Sequence, residues 1–152
     1  MSHSSQETQT IGAKLAALLQ PGDILLLHGE LGAGKTELVR GLAVGLGLQP
    51  DDISSPTFGL IHEYQGTILL VHGDLYRLSP IDDDFFLALE EYWQQPVVTV
   101  IEWAERLQDS LPEDYLDITL QWLDADSRTL TIQGHGSRGE HLARLCQGLN
   151  PP

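Results

Sequence analysis

The sequence predicts an α/β domain whose sheet is partly parallel and partly antiparallel. Three observations carry this reading. Two apolar runs, Ile24–Leu27 and Val97–Ile101, lack the alternation of a half-solvated strand and suit strands buried on both faces of a parallel sheet. The first leads through a glycine-rich turn into a helical pattern, the order of an α/β unit. Near the C-terminus, Leu116–Leu123 and Thr129–Gln133 alternate around Asp124–Arg128, which marks an antiparallel hairpin.

Each element has its own signal. Residues 1–7 are polar and aperiodic and read as a frayed tail. Ile11, Leu15, Leu18 and Leu19 recur at helical spacing until Pro21-Gly22. After the turn of Gly29–Gly34, a helix over Thr36–Leu46 places Leu38, Val39, Leu42, Ala43 and Leu46 inward, and Gly47 stops it. Gln49–Thr57 is a polar, proline-bearing loop. Phe58–Tyr64 and Thr67–His72 flank Gln65-Gly66 as a tight hairpin. Asp82-Asp83-Asp84 opens a helix that runs to about Trp93, with its carboxylates at the end that favours negative charge. Ala104–Ser110 makes one or two helical turns before Pro112. A closing helix over 138–147 turns Leu142 and Leu145 inward.

Composition narrows the function. The 152 residues support a single domain over 1–152 and need no disulfide framework; the lone Cys146 fits a reducing compartment. There is no apolar run near the ~20 residues of a membrane span and no signal-peptide pattern at the N-terminus, so a cytoplasmic location is expected. Eight Lys and Arg stand against 22 Asp and Glu, a net charge of −14. Such a chain is a poor direct binder of nucleic acid or of anionic lipid.

Gly29-Glu30-Leu31-Gly32-Ala33-Gly34-Lys35-Thr36 matches G-x-x-x-x-G-K-[ST] in full. The glycines let successive backbone N–H groups turn towards phosphate oxygens, and the following helix adds its positive end. Lys35 is placed for the β- and γ-phosphates and the Thr36 hydroxyl for Mg²⁺. Average composition yields such a match by chance in on the order of one in two hundred chains of this length. The strand before it and the helix after it make chance a poorer account still. Moreover, one of only two lysines, Lys14 and Lys35, stands where the motif demands it.

A phosphate loop needs a carboxylate for the metal or its waters. Two apolar strands lead to one: Ile68–Val71 to Asp74, and Val97–Ile101 to Glu102. With 22 acids present, a strand-end acid that merely faces water is the competing reading for each. Ser54, Ser55 and Thr57 lie where many phosphate-loop proteins keep a switch segment, though an ordinary Ser-Pro turn accounts for them equally well. Arg77 is a phosphate contact or a partner for a nearby acid, and Trp103 is core or a stacking surface. The six histidines show no metal-ligand spacing. The Asn-Lys-x-Asp guanine reader of Ras-type GTPases is missing, since the only asparagine is Asn150 and no lysine follows Lys35. This exclusion favours ATP.

Four segments together, GELGAGKTEL (29–38), SSPTF (54–58), HGDLYR (72–77) and IEWAERL (101–107), closely resemble the TsaE family, also called YjeE. LEEYW (89–93) and LPEDYLDI (111–118) add to a likeness that runs from about Thr8 to Gly134. The resemblance implies a P-loop NTPase-like, mostly parallel sheet flanked by helices, with an antiparallel end. It implies a small bacterial Mg-dependent ATPase required for threonylcarbamoylation of adenosine 37 in tRNAs that read A-starting codons. Its hydrolysis would be weak alone, stimulated by a complex of TsaB and TsaD, and used to support turnover of that transferase. Residue by residue, Lys35 and Thr36 are similar to the family's phosphate and Mg²⁺ contacts. Asp74 and Glu102 resemble its two essential acids, Trp103 the tryptophan beside the glutamate, and Ser54, Ser55 and Thr57 its switch-like loop. A small-molecule kinase is the first competing reading; Arg106, Arg128, Arg138 and Arg144 are scattered without the cluster of a phosphoryl-clamping lid. The second is a nucleotide-dependent binding module that does not hydrolyse.

Overall fold

The computed structural model describes residues 2, 4–29, 34–49, 53, 61–75, 83–107, 111–124 and 127–148. Its strands are β1 (Ile24–His28), β2 (Ile61–Gln65), β3 (Leu69–Asp74), β4 (Val98–Glu102), β5 (Tyr115–Trp122) and β6 (Arg128–His135). They form one sheet in the order β2-β3-β4-β1-β5-β6. β3, β4, β1 and β5 run parallel, and an antiparallel pair closes each side: β2 on β3 and β6 on β5. The helices are α1 (Ser5–Ala16), α2 (Lys35–Gly45), α3 (Asp83–Trp93) and α4 (Gly136–Leu145), with a short 3-10 turn at Ala104–Leu107. The mostly parallel sheet, its flanking helices and the C-terminal hairpin are therefore as the sequence predicts.

Burial explains the absence of alternation in β1 and β4. Leu25 and Leu27 face one core with α1 and α2, while Ile24 and Leu26 face a second core with Leu75, Leu89, Ala104 and Leu107. Every inward residue expected of α2, namely Leu38, Val39, Leu42, Ala43 and Leu46, is buried. α1 lies so close to α2 that a β-carbon on Gly41 would stand 2.1 Å from the Gln9 carbonyl oxygen, a contact only glycine permits.

Three expectations are corrected. The N-terminal segment is not frayed where it is described: Ser2 is fully buried and exchanges two backbone hydrogen bonds of 2.8 Å with Arg128. The Ser4 side chain caps α1 by accepting from the Glu7 N–H at 3.0 Å. The polar composition that suggested a tail is the composition of a helix cap. The β2–β3 connection is wider than a two-residue turn, because the Thr67 N–H is drawn onto the Leu46 carbonyl at the end of α2 (2.8 Å). In the last helix Leu142 is buried as expected, but Leu145 is 43% exposed and Cys146 takes the inward place. Burial raises the Cys146 thiol pKa to about 11. The expected strand residues Phe58–Leu60 and helix residues Gln108–Ser110 lie outside the described residues.

Candidate functional site

The C-terminal ends of three neighbouring parallel strands are aligned. Glu102 at the end of β4 is in register with Leu27 of β1 on one side and with Asp74 of β3 on the other. Gly29, the first glycine of the motif, follows two residues after Leu27. The phosphate-loop motif and both candidate acids thus share one edge of the sheet, the edge at which α/β folds place their ligands.

Lys35 opens α2 and is buried. Its Nζ donates to the Gly29 carbonyl at 2.5 Å and lies 3.6 Å from the centre of the Trp103 ring. The lysine therefore ties the start of the motif to the residue after Glu102. An ammonium over an indole face is stabilised by the ring quadrupole, by about 2 kcal/mol when desolvated. Trp103 holds a left-handed backbone, φ +59°. For a bulky residue that is a strained conformation, of a kind that clusters at functional sites.

Glu102 is buried, and its Oε2 lies 2.5 Å from Nε2 of the fully buried His72. Placing the imidazole proton on Nε2 makes it the donor to the carboxylate. Nδ1, which has no partner among the described residues, is then a bare acceptor and not a stranded N–H. A buried carboxylate held by one hydrogen bond keeps oxygen lone pairs for a further ligand.

The N-terminus of α2 carries no side-chain cap; Gly34 precedes it at φ +105°. Its first N–H groups have no intrahelical acceptor and suit an anion. Thr36 sits in this first turn and is half-buried. Glu37, the acid of the turn, is engaged by Gln9 and Arg40.

Glu30–Ala33, Ser54, Ser55, Thr57 and Arg77 lie outside the described residues, and Asp74 is described by its backbone alone. Among the predicted residues, Gly29, Gly34, Lys35, Thr36, Glu102 and Trp103 are brought to one edge, with the Asp74 backbone in register beside them. Sequence reasoning missed His72. Its signal was present, since it stands two residues before Asp74 on the same strand, but a histidine in an apolar strand reads equally as core. No described group of three or more His, Cys, Asp or Glu residues could hold a metal ion by itself. No described helix is long and apolar enough to cross a membrane.

The family model for "Threonylcarbamoyl adenosine biosynthesis protein TsaE" matches residues 2–130. This chain belongs to the TsaE family. A relative from Treponema pallidum named tRNA threonylcarbamoyladenosine biosynthesis protein TsaE is 42% identical over 132 residues, covering 87% of this chain and 97% of the relative. A relative of the same name from Bacillus subtilis is 39% identical over 146 residues, covering 95% and 89%. The crystal structure of Bacillus subtilis YdiB superposes with a TM-score of 0.78 at 35% identity, covering 95% of this chain and 89% of that one. The family match thus reaches past β5 into the first residues of β6, and the structural likeness extends over nearly the whole chain.

Proposed function

We propose that this chain is the ATPase subunit of tRNA N6-threonylcarbamoyladenosine synthesis. It binds Mg-ATP at residues 29–36, and its hydrolysis, slow alone, is stimulated by the TsaB–TsaD complex whose turnover it supports. The observation that carries the reading is that buried Lys35 opens α2 with its ammonium over the ring of Trp103, the residue that follows buried Glu102 at the end of β4. Membership of a family named for this modification supplies the pathway.

The residues fit polyphosphate and Mg²⁺. The start of α2 has no side-chain cap, a buried ammonium stands beside it, and a buried carboxylate on the adjacent strand has His72 as its hydrogen-bond partner among the described residues. In this reading Lys35 and the N–H groups of the α2 N-terminus hold the β- and γ-phosphates. The Thr36 hydroxyl, Glu102 and Asp74 hold Mg²⁺ and its waters; the ion, when bound, neutralises charge on the phosphate oxygens. Glu102, fixed by His72, also orients the attacking water. Ser54, Ser55 and Thr57 form the segment that responds to the γ-phosphate. The net charge of −14 leaves the grip on tRNA to the partners and makes the contribution of this chain an energetic one.

The test is phosphate release from Mg-ATP by the purified chain, with and without TsaB–TsaD. We expect a slow basal rate, clear stimulation, and an ATP-promoted ternary complex. Release that stays at the isolated rate with no complex formed would overturn the assigned role.

A further inference from the structure

Arg128 opens β6 and is 7% exposed. Its guanidinium lies against Gly34, the last glycine of the motif: a β-carbon there would stand 3.2 Å from both Cδ and Nη1 of Arg128. Its Nε is buried and has no hydrogen-bond partner among the described residues. No carboxylate among the described residues lies within ion-pair distance of it. Arg40 and Arg138, by contrast, each hold a carboxylate.

An unpaired charge taken out of water carries a penalty of several kcal/mol, and folded proteins keep one where something else completes it. The position says what completes it. Arg128 stands at the uncapped N-terminus of α2, where N–H groups already favour an anion, and a planar fork of five donors matches phosphate oxygens. Its backbone is held from both sides, by β5 in the sheet and by Ser2 through two 2.8 Å hydrogen bonds, so the fork is positioned in advance.

We propose that Arg128 is a phosphate-binding residue of this site: it contacts the polyphosphate of the bound nucleotide from the β6 side of the loop. The inference rests on the reading of residues 29–36 as a nucleoside-triphosphate site. It adds a cation supplied by this chain itself, from an element far in sequence from the motif. It also gives the N-terminal segment a task, since Ser2 braces the residue that meets the ligand.

The experiment compares wild type, Arg128→Met, Arg128→Lys and Lys35→Ala. Affinities are measured for Mg-ATP and, in competition, for Mg-tripolyphosphate, which has no base or ribose; thermal melting is recorded without ligand. Methionine keeps an apolar stem against Gly34 and removes the charge. We expect Arg128→Met to weaken both ligands in parallel by about 10- to 100-fold. Its unliganded melting temperature should be equal to or above wild type, because an uncompensated charge has been removed. Arg128→Lys should recover part of the affinity. Full affinity in Arg128→Met alongside loss in Lys35→Ala overturns the inference and leaves the phosphate site standing. Loss for ATP with unchanged tripolyphosphate binding overturns it in favour of a contact to the base or ribose. Affinity and melting temperature that fall together, or a variant that does not fold, assign Arg128 a structural role. A wild type that binds no ATP removes the underlying reading itself.

Discussion

At the N-terminal end of β1, buried Asp23 is paired with the half-buried Arg138. Nε and Nη2 of Arg138 donate to the two carboxylate oxygens at 2.9 Å each, the Gln20 N–H adds a bond of 2.7 Å, and Nη2 also reaches the Leu18 carbonyl. The guanidinium pKa is raised, first by its hydrogen bond to Asp23. At the C-terminal edge the groups are also buried, but Arg128 Nε and His72 Nδ1 have no partner among the described residues and Trp103 holds a strained backbone. The two ends use similar residues for different purposes. A guanidinium held by two charged hydrogen bonds locks α4 and the β1 entrance together. In the proposed reading, the polar atoms at the other edge that lack a partner among the described residues are matched by the bound ligand.

Four variants or conditions test whether the two ends differ in this way. Lys35→Ala should weaken Mg-ATP binding or lower turnover by on the order of a hundredfold or more, since it removes a charged contact to phosphate. Because Lys35 is buried against Trp103, a Lys35→Met control keeps the packing, and titration calorimetry of both variants against wild type measures the loss. Equal affinity in all three would dissolve the distinction between the two ends.

Glu102→Gln should lower kcat by about a hundredfold while ATP affinity changes little, because metal and water positioning matter most in the transition state. Glutamine still accepts from His72, so the fold is preserved. Single-turnover phosphate release separates the two quantities, and a wild-type rate would place the acid elsewhere, with Asp74→Ala as the next variant.

Arg138→Met should act on stability alone. It leaves the Asp23 carboxylate short of two charged hydrogen bonds, a loss of about 1–3 kcal/mol. Urea unfolding should show this while ATP hydrolysis by the folded protein stays at the wild-type rate. Lost activity with unchanged stability would mean that the two ends are functionally coupled.

The smallest effect is alkaline. The Cys146 thiol has a folded pKa of about 11, raised from 9.0 by burial, so the unfolded chain loses this proton at lower pH than the folded one. Its contribution is fully present below pH 9 and is lost as pH rises towards 11. Between pH 8 and pH 10 the loss is about 1 kcal/mol. The stability of wild type minus that of Cys146→Ala, followed by chemical denaturation across this range, isolates it from the tyrosines. Parallel curves would show that the thiol is not buried in solution.

Local chemistry made much of the molecule legible. The apolar runs of β1 and β4, the inward stripe of α2 and the alternation of β5 and β6 each follow from side-chain periodicity, which is a property of adjacent residues. The phosphate-loop motif is legible for the same reason, being eight consecutive positions with a fixed task each. The two candidate acids stood out because both end apolar strands, and the register makes Asp74 and Glu102 neighbours.

Tertiary structure alone decided what depends on distant partners. A polar N-terminus reads as a tail until Ser2 meets Arg128 across 126 positions of sequence. His72 reads as a core histidine until the parallel pairing of β3 and β4 brings it to Glu102. Leu145 and Cys146 differ by one position, and the seating of α4 on β5 and β6 chose which of them is buried. Arg128 looks like one of several scattered arginines, because its pairing depends on which acids surround it in space. Periodicity made the elements legible, and the contiguous positions of the motif made the candidate phosphate site legible. The assembled sheet decided which charges meet a partner, because burial removes water and makes every missing partner count.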